Sequence, residues 1–251
     1  MILEYHRPKT LDEALSLLAR AEPRTYPLGG GTLLNRPSPE SCAVVDLQGL
    51  GLNKIHKAGN NLEIGATVTL QALLESAHTP IALKEAIKLE TTYNLRQMAT
   101  AAGILVACDG RSPFATAMLA LDTKVTVESQ EPGVVSLGDL LPLRQETLQG
   151  KLITKITIPT NVRITYEYAA RTPADRPIVC AALAQWPSGR TRLALGGWGK
   201  CPTLAMDGNE PGGVEAAAKN AFHEAGDEWA SAEYRSDVAA VLAKRCAENM
   251  K

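Results

Sequence analysis

The chain has 251 residues, enough for one large domain or two smaller ones, and 45% of them are hydrophobic, as in a globular protein. Its 26 Lys and Arg are scattered among 27 Asp and Glu, which argues against a nucleic-acid-binding or membrane-surface protein. No apolar run is long enough to span a bilayer, and Met1-Ile2-Leu3-Glu4-Tyr5-His6-Arg7-Pro8 lacks the features of a secretory signal, so a cytoplasmic location is expected.

After a short extended segment at Leu3–His6, Leu11-Asp12-Glu13-Ala14-Leu15-Ser16-Leu17-Leu18 places apolar residues at helical spacing, predicting a helix over about 11–21 that Pro23 stops. Arg24-Thr25-Tyr26-Pro27-Leu28 is a predicted short strand. It runs into Gly29-Gly30-Gly31-Thr32-Leu33-Leu34-Asn35-Arg36. Three consecutive glycines are costly to order, so the run belongs where backbone turns sharply or comes close to something. A strand, a glycine turn and then a helix start would aim free N–H groups at an anion such as a phosphate, with Thr32 adding a hydroxyl. A tight turn without a ligand explains the same residues. The loop is no Walker A motif, since no Gly-Lys-Ser/Thr follows, and no dinucleotide fingerprint, since Leu34 stands at the third glycine. Pro37 and Pro39 close the region.

Ala43-Val44-Val45-Asp46-Leu47 is a predicted strand, and Lys54–Ala58 with Leu62–Gly65 a predicted hairpin around Gly59-Asn60-Asn61. Thr69 is placed to cap a helix through Ala77, and helical periodicity resumes over Ile81–Glu90. His56 and His78 lack a partner of metal-ligand type and are expected at the surface. The stretch 94–109 is rich in small residues and poor in charge, suited to close packing or to backbone passing near a ligand. A buried helix over Pro113–Leu121, a strand at Lys124–Glu128, a strand and turn over Val135–Leu141 and an alternating strand at Leu152–Pro159 follow.

A domain boundary is expected near Thr160–Asn161. Beyond it, strands are predicted at Arg163–Tyr168, Ile178–Ala184 and Arg190–Gly197, an exposed loop at Asp207–Gly213, and helices at Val214–Ala225 and Ser231–Asn249. Strands first and helices after imply an α+β layer with helices on one face of an antiparallel sheet. The cysteines (Cys42, Cys108, Cys180, Cys201, Cys246) are odd in number and contain no C-x-x-C. Neither an iron–sulfur cluster nor a structural zinc is expected, and the thiols should be reduced and mostly buried.

Taken together, these segments resemble the FAD-binding medium subunit of molybdenum hydroxylases, the family of carbon monoxide dehydrogenase and xanthine dehydrogenase. The resemblance runs through Glu4-Tyr5-His6-Arg7-Pro8, Gly29-Gly30-Gly31-Thr32-Leu33-Leu34, Val45-Asp46-Leu47, Leu62–Thr67, Leu119-Ala120-Leu121-Asp122, Leu152–Ile156, Leu195-Gly196-Gly197 and Ser231-Ala232-Glu233-Tyr234-Arg235. It implies a two-subdomain FAD-binding fold of the PCMH type over residues 1–160 (subdomains about 1–52 and 53–160). A smaller α/β domain would cover 161–251. It also implies FAD, held by Leu28, Gly29, Gly30, Gly31, Thr32 and Leu33 of a first loop and by Thr100, Ala102, Gly103 and Ile104 of a second, with Asp109 and Ile153 nearby. The implied partners are a molybdopterin-binding large subunit and a 2Fe-2S small subunit. Electrons from the partners' centres would leave through the flavin of this oxidoreductase subunit, which on its own has no activity on the hydroxylation substrate.

The second loop departs from the family pattern I-R-N-x-G/A-T-I-G-G-N. Thr100 and Gly103 match, but Ala102 stands at the first glycine of the pair, Ile104 at the asparagine, and Pro113 at the acidic position that follows. A methyl at Ala102 is expected to crowd a pyrophosphate, Ile104 removes an amide, and Pro113 removes a carboxylate and an N–H. Leaving one buried polar partner unsatisfied costs on the order of 1–3 kcal/mol. Two readings follow: an FAD-binding electron-transfer subunit, or a flavin-deficient paralogue serving as a structural or assembly subunit.

Overall fold

A computed structural model describes residues 1–34, 40–209 and 212–250. In chain order the first elements are β1 (Ile2–His6), α1 (Leu11–Leu18), β2 (Thr25–Leu28), β3 (Cys42–Asp46), β4 (Ile55–Ala58), β5 (Asn61–Gly65), α2 (Leu70–Glu75), α3 (Ile81–Glu90), α4 (Tyr93–Arg96), α5 (Ala101–Ala107) and α6 (Pro113–Ala120). Then come β6 (Lys124–Glu128), β7 (Gly133–Ser136), α7 (Leu137–Thr147), β8 (Leu152–Pro159), β9 (Arg163–Ala169), β10 (Val179–Gln185), β11 (Thr191–Gly196), β12 (Thr203–Gly208), α8 (Val214–Ala221) and α9 (Ala232–Asn249). They form two compact units. Unit 1 is Met1–Glu75, Tyr93–Ala107 and Lys124–Thr157; unit 2 is Ser76–Thr92, Cys108–Thr123 and Ile158–Lys251.

Unit 1 holds two sheets. A parallel sheet in the order β1-β3-β2 sets Tyr5 opposite Val44 and Leu28 opposite Asp46. Helix α1 covers it because Ala14 and Leu18 meet Val45, Leu47 and Leu152 in one apolar cluster. Its start is fixed by Thr10, whose hydroxyl accepts the Glu13 N–H. The second sheet has the order β4-β5-β8-β6-β7, with the predicted hairpin turning at Gly59 (φ +59°). Segment 66–70 then runs beside 99–102: Ala101 N donates to Val68 O (2.8 Å), Leu70 N to Ala99 O (2.8 Å) and Ala102 N to Ala66 O (3.3 Å).

Unit 2 is built on an antiparallel sheet in the order β12-β11-β10-β9. Alternate residues of β10 point to opposite faces. Val179, Ala181 and Leu183 pack with Ala239, Leu242 and Ala243 of α9, and Ala218 of α8 joins the same cluster. Between them Cys180 turns to Thr116 of α6. The C-terminal helices therefore lie on one face, as expected, and α6 covers the other. Every residue of α6 is buried.

Several expectations are corrected. The glycine run does not open into a helix among the described residues: Gly31 takes φ +68° and residues 32–34 form a turn. Asn35, Arg36, Pro37 and Pro39 lie outside the described residues. Val135 and Ser136 are strand, in β7, but 137–141 are not a turn: Ser136 accepts the Asp139 N–H and nucleates α7, which Pro142 kinks at Leu143. Asp207 is not in a loop: it belongs to β12, unforeseen in the sequence, and is tied to Arg190 and Arg192. Of the expected loop, Glu210 and Pro211 lie outside the described residues. Helix α1 ends at Leu18 and α8 at Ala221, earlier than periodicity suggests. After α8 the chain turns so that Phe222 and Ala225 enter the core and Arg235 binds the Ala225 carbonyl.

Candidate functional site

The glycine run leaves the end of β2, and its neighbours are the residues just before α5. A Cβ on Gly30 would sit 1.6 Å from Met98 O, and one on Gly29 would sit 2.8 Å from Thr100 Oγ1. Only glycine lets the two loops meet. Thr100 is pinned in turn by an isolated antiparallel bridge to Thr69, and its hydroxyl accepts the Gly103 N–H at 3.2 Å.

Beside this junction lies a cavity of about 680 Å³ within unit 1. Leu28, Gly29, Gly30 and Gly31 form one wall; Gln97, Met98 and Thr100 form another. Thr67, Thr69, Gln48 and Asn53 add hydroxyls and amides, and Tyr5, Arg7 and Asp46 complete the lining. Thr69 and Thr100 each use an oxygen to accept a backbone N–H, from Ala72 and Gly103, so each hydroxyl proton stays available to a ligand.

Asp46 is the one carboxylate among the described lining residues. Its side chain is 5% exposed and closes the C-terminal end of β3. Burial is compensated from three sides: the Tyr5 hydroxyl donates to Oδ2, Gln48 N donates to Oδ1 at 2.9 Å, and Arg7 Nε stands 3.6 Å from Oδ2. The bond to Asp46 holds the Tyr5 proton, raising its pKa above the usual tyrosine value. The Arg7 side chain remains 59% exposed.

The expected site residues divide. Leu28, Gly29, Gly30, Gly31 and Thr100 line the cavity together. Thr32 and Leu33 lie in the turn beyond, with Leu33 46% exposed. Ala102, Gly103 and Ile104 belong to α5 and are not among the lining residues. Ala102 is buried, with its methyl away from this lining. The amides of residues 101–104 are bonded internally, to Val68 O, Ala66 O, Thr100 Oγ1 and Thr100 O. Ile153 is buried in β8, opposite Val127.

Asp109 belongs to unit 2, where Arg176 grips it through Nη2 at 2.6 Å and Nη1 at 3.2 Å. Burial pushes this carboxyl up, but Arg176 and the Arg111 N–H outweigh it and hold the pKa low. Pro113 opens α6 at a position that needs no N–H. The carboxylate at that helix start is supplied by Glu90, whose Oε2 accepts Ser112 Oγ–H (2.7 Å) and Phe114 N–H (3.0 Å). Burial raises the Glu90 pKa.

The motif Ser231–Arg235 is structural. Ser231 caps α9, and the fully buried Arg235 donates to Asp227 Oδ1 and to the carbonyls of Ala225, Ala230 and Ile178. Asp122, in the left-handed region (φ +51°), ends the α6 segment and pairs with Arg190. His56 and His78 are exposed as expected, and no metal-holding cluster of His, Cys, Asp or Glu occurs among the described residues. No described helix is long and apolar enough to cross a membrane.

Tyr5, Arg7, Asp46, Thr67 and Thr69 were not foreseen as site residues. The usable signal was Asp46, a carboxylate ending the apolar run Ala43-Val44-Val45. The donor-rich lining, where the exposed Arg7 stands beside an already compensated carboxylate, suits a phosphate-bearing ligand.

Residues 1–161 match the FAD binding domain in molybdopterin dehydrogenase. Uncharacterized protein YgfM of Escherichia coli strain K12 is 26% identical, over 96% of this chain and 94% of its own. The carbon monoxide dehydrogenase medium chain of Afipia carboxidovorans is 28% identical, over 99% and 96%. Among solved structures, reconstituted CO dehydrogenase from Oligotropha carboxidovorans superposes with a TM-score of 0.81 at 26% identity, over 98% of this chain and 96% of that one.

Proposed function

The chain belongs to the FAD-binding domain family of the molybdopterin dehydrogenases, and on that premise we propose that it is the FAD-binding, electron-transferring subunit of a molybdenum hydroxylase. The observation that carries this reading is the unit 1 cavity, where the wall of Leu28–Gly31 faces Thr100. Bound there, FAD supplies the two-electron chemistry that links a partner's iron–sulfur centre to an external acceptor.

The chain's own part is to hold and orient. The backbone of Gly29–Gly31 lets a pyrophosphate approach closely, and Arg7 supplies a positive charge beside it. The hydroxyls of Thr67, Thr69 and Thr100 and the amides of Gln48, Asn53 and Gln97 fix the ligand's register. Residues 102–104 act by building α5 under Thr100 rather than by touching the cofactor. In this reading residues 1–160 carry the cofactor, 161–251 form the C-terminal domain, and a molybdopterin-binding large subunit and a 2Fe-2S small subunit complete the oxidoreductase.

One observation favours the flavin-deficient reading. Gly29 and Gly30 are required by Met98 and Thr100 whether or not a ligand is present, and the amides of 101–104 already have partners. The visible absorption spectrum of the purified chain, before and after incubation with FAD, decides between them. A retained flavin band carries the electron-transfer subunit; a colourless protein that gives no calorimetric signal with FAD carries the structural one.

A further inference from the structure

The least expected member of the cavity lining is Tyr5. It sits on β1, an edge strand, and the residue is 59% exposed. A tyrosine that exposed normally samples several rotamers. This one does not swing freely, because its hydroxyl donates to Asp46 Oδ2. Asp46 is anchored: its side chain is 5% exposed and accepts the Gln48 N–H. The ring is thus fastened at its polar tip while its body lies open at the cavity wall. Arg7, just past the end of that strand, brings a guanidinium to the same wall.

A tethered aromatic ring beside a cation and a glycine-lined wall has the chemistry of a stacking platform. Planar heteroaromatic rings stack on tyrosine without needing a particular hydrogen-bond pattern. The tether matters because the entropy of fixing the ring is spent on folding, not on binding.

We propose that Tyr5 is the stacking platform for a heteroaromatic ring of a phosphate-linked nucleotide in the unit 1 cavity, with Asp46 as the positioning residue that holds the platform. This inference rests on the nucleotide-binding reading of that cavity and adds which residue engages the ring. An FAD-type dinucleotide carries two such rings, a purine and a flavin, joined through the pyrophosphate. The two halves can be offered separately, as ADP and FMN.

The test is calorimetric titration of the full-length chain with ADP, FMN and FAD, for the wild type and three variants. Tyr5→Ala removes the platform. Tyr5→Thr removes it with a β-branched residue suited to a strand, in case alanine disturbs β1. Tyr5→Phe keeps the ring and cuts the tether. Ala and Thr are expected to weaken FAD, and whichever half stacks on Tyr5, by about five- to fiftyfold. Phe is expected to weaken the same ligands by only about two- to fivefold.

A loss confined to ADP assigns the purine to Tyr5; a loss confined to FMN assigns the flavin. Unchanged binding of all ligands by Ala and Thr overturns the platform while the cofactor reading stands. If ADP binds and loses affinity in the Ala and Thr variants while FAD and FMN do not bind, the platform stands and the flavin reading falls. A wild type that binds none of the three overturns both.

Discussion

Gly30 and the Met98 carbonyl share a space that admits no side chain: a Cβ on Gly30 would lie 1.6 Å from that oxygen. The contact joins the loop after β2 to the loop before α5 and sets the shape of the cavity between them. Gly30→Ala must therefore move backbone, not merely a side chain. A destabilisation of roughly 2–4 kcal/mol is expected, with loss of nucleotide binding. Gly29→Ala meets the Thr100 side chain (Oγ1 at 2.8 Å, Cγ2 at 3.3 Å) rather than backbone and should cost less. Chemical denaturation of the two variants checks the order; equal midpoints would show that the loops do not depend on this contact.

Thr100 serves the same junction through its hydroxyl, which accepts the Gly103 N–H. Thr100→Ala leaves that amide without its cap and should cost about 1 kcal/mol, while Thr100→Ser should recover most of it. Thermal denaturation separates the pair. A serine variant as unstable as the alanine variant would assign the loss to packing of the methyl instead.

Glu90 is the buried acid of unit 2. Because burial raises its folded pKa above the unfolded value, its contribution to stability is fullest below the ordinary glutamate range and falls as pH rises through the folded pKa. Glu90→Gln keeps an acceptor for Ser112 and Phe114 and should flatten this pH dependence with little change in melting temperature. Glu90→Ala leaves both donors unpaired in the interior and should cost roughly 1–3 kcal/mol. Melting curves across acid to neutral pH test both variants.

Arg235 and Asp227 run the opposite way. Burial pushes the Asp227 carboxyl up, but the Arg235 guanidinium and the Trp229 and Ala230 N–H groups outweigh it and hold the pKa low. Stability from this pair is present above the unfolded aspartate pKa and is lost as pH falls through the folded one. Asp227→Asn should remove that acid-side loss. Arg235→Met deprives the Ala225 carbonyl of its guanidinium donor and leaves the Asp227 charge without its cation; a cost of about 3–5 kcal/mol is expected, read as early unfolding of unit 2 in hydrogen exchange.

The sequence alone determined most of the element list and the family, because the signals involved are local. Alternation at Leu152–Pro159, the apolar spacing of Leu11–Leu18, the cap at Ser231 and the hairpin turn at Gly59 depend only on near neighbours. Sequence and structure part where distant residues decide. Residues 203–208 became a strand because β11 offers a ladder to pair with, and past Ala221 the chain leaves α8 to turn Phe222 and Ala225 into the core, where Arg235 binds the Ala225 carbonyl.

The candidate site followed the same division. The first glycine loop was legible, since three consecutive glycines advertise an unusual backbone without reference to anything else. That Gly29 and Gly30 answer to Thr100 and Met98, that Ala102 is turned into the interior, and that Tyr5 is fastened to Asp46 were decided only by tertiary structure. These relationships join residues some forty to seventy positions apart in the chain. Local propensity carries no information about such pairs; only the folded backbone brings their atoms within reach.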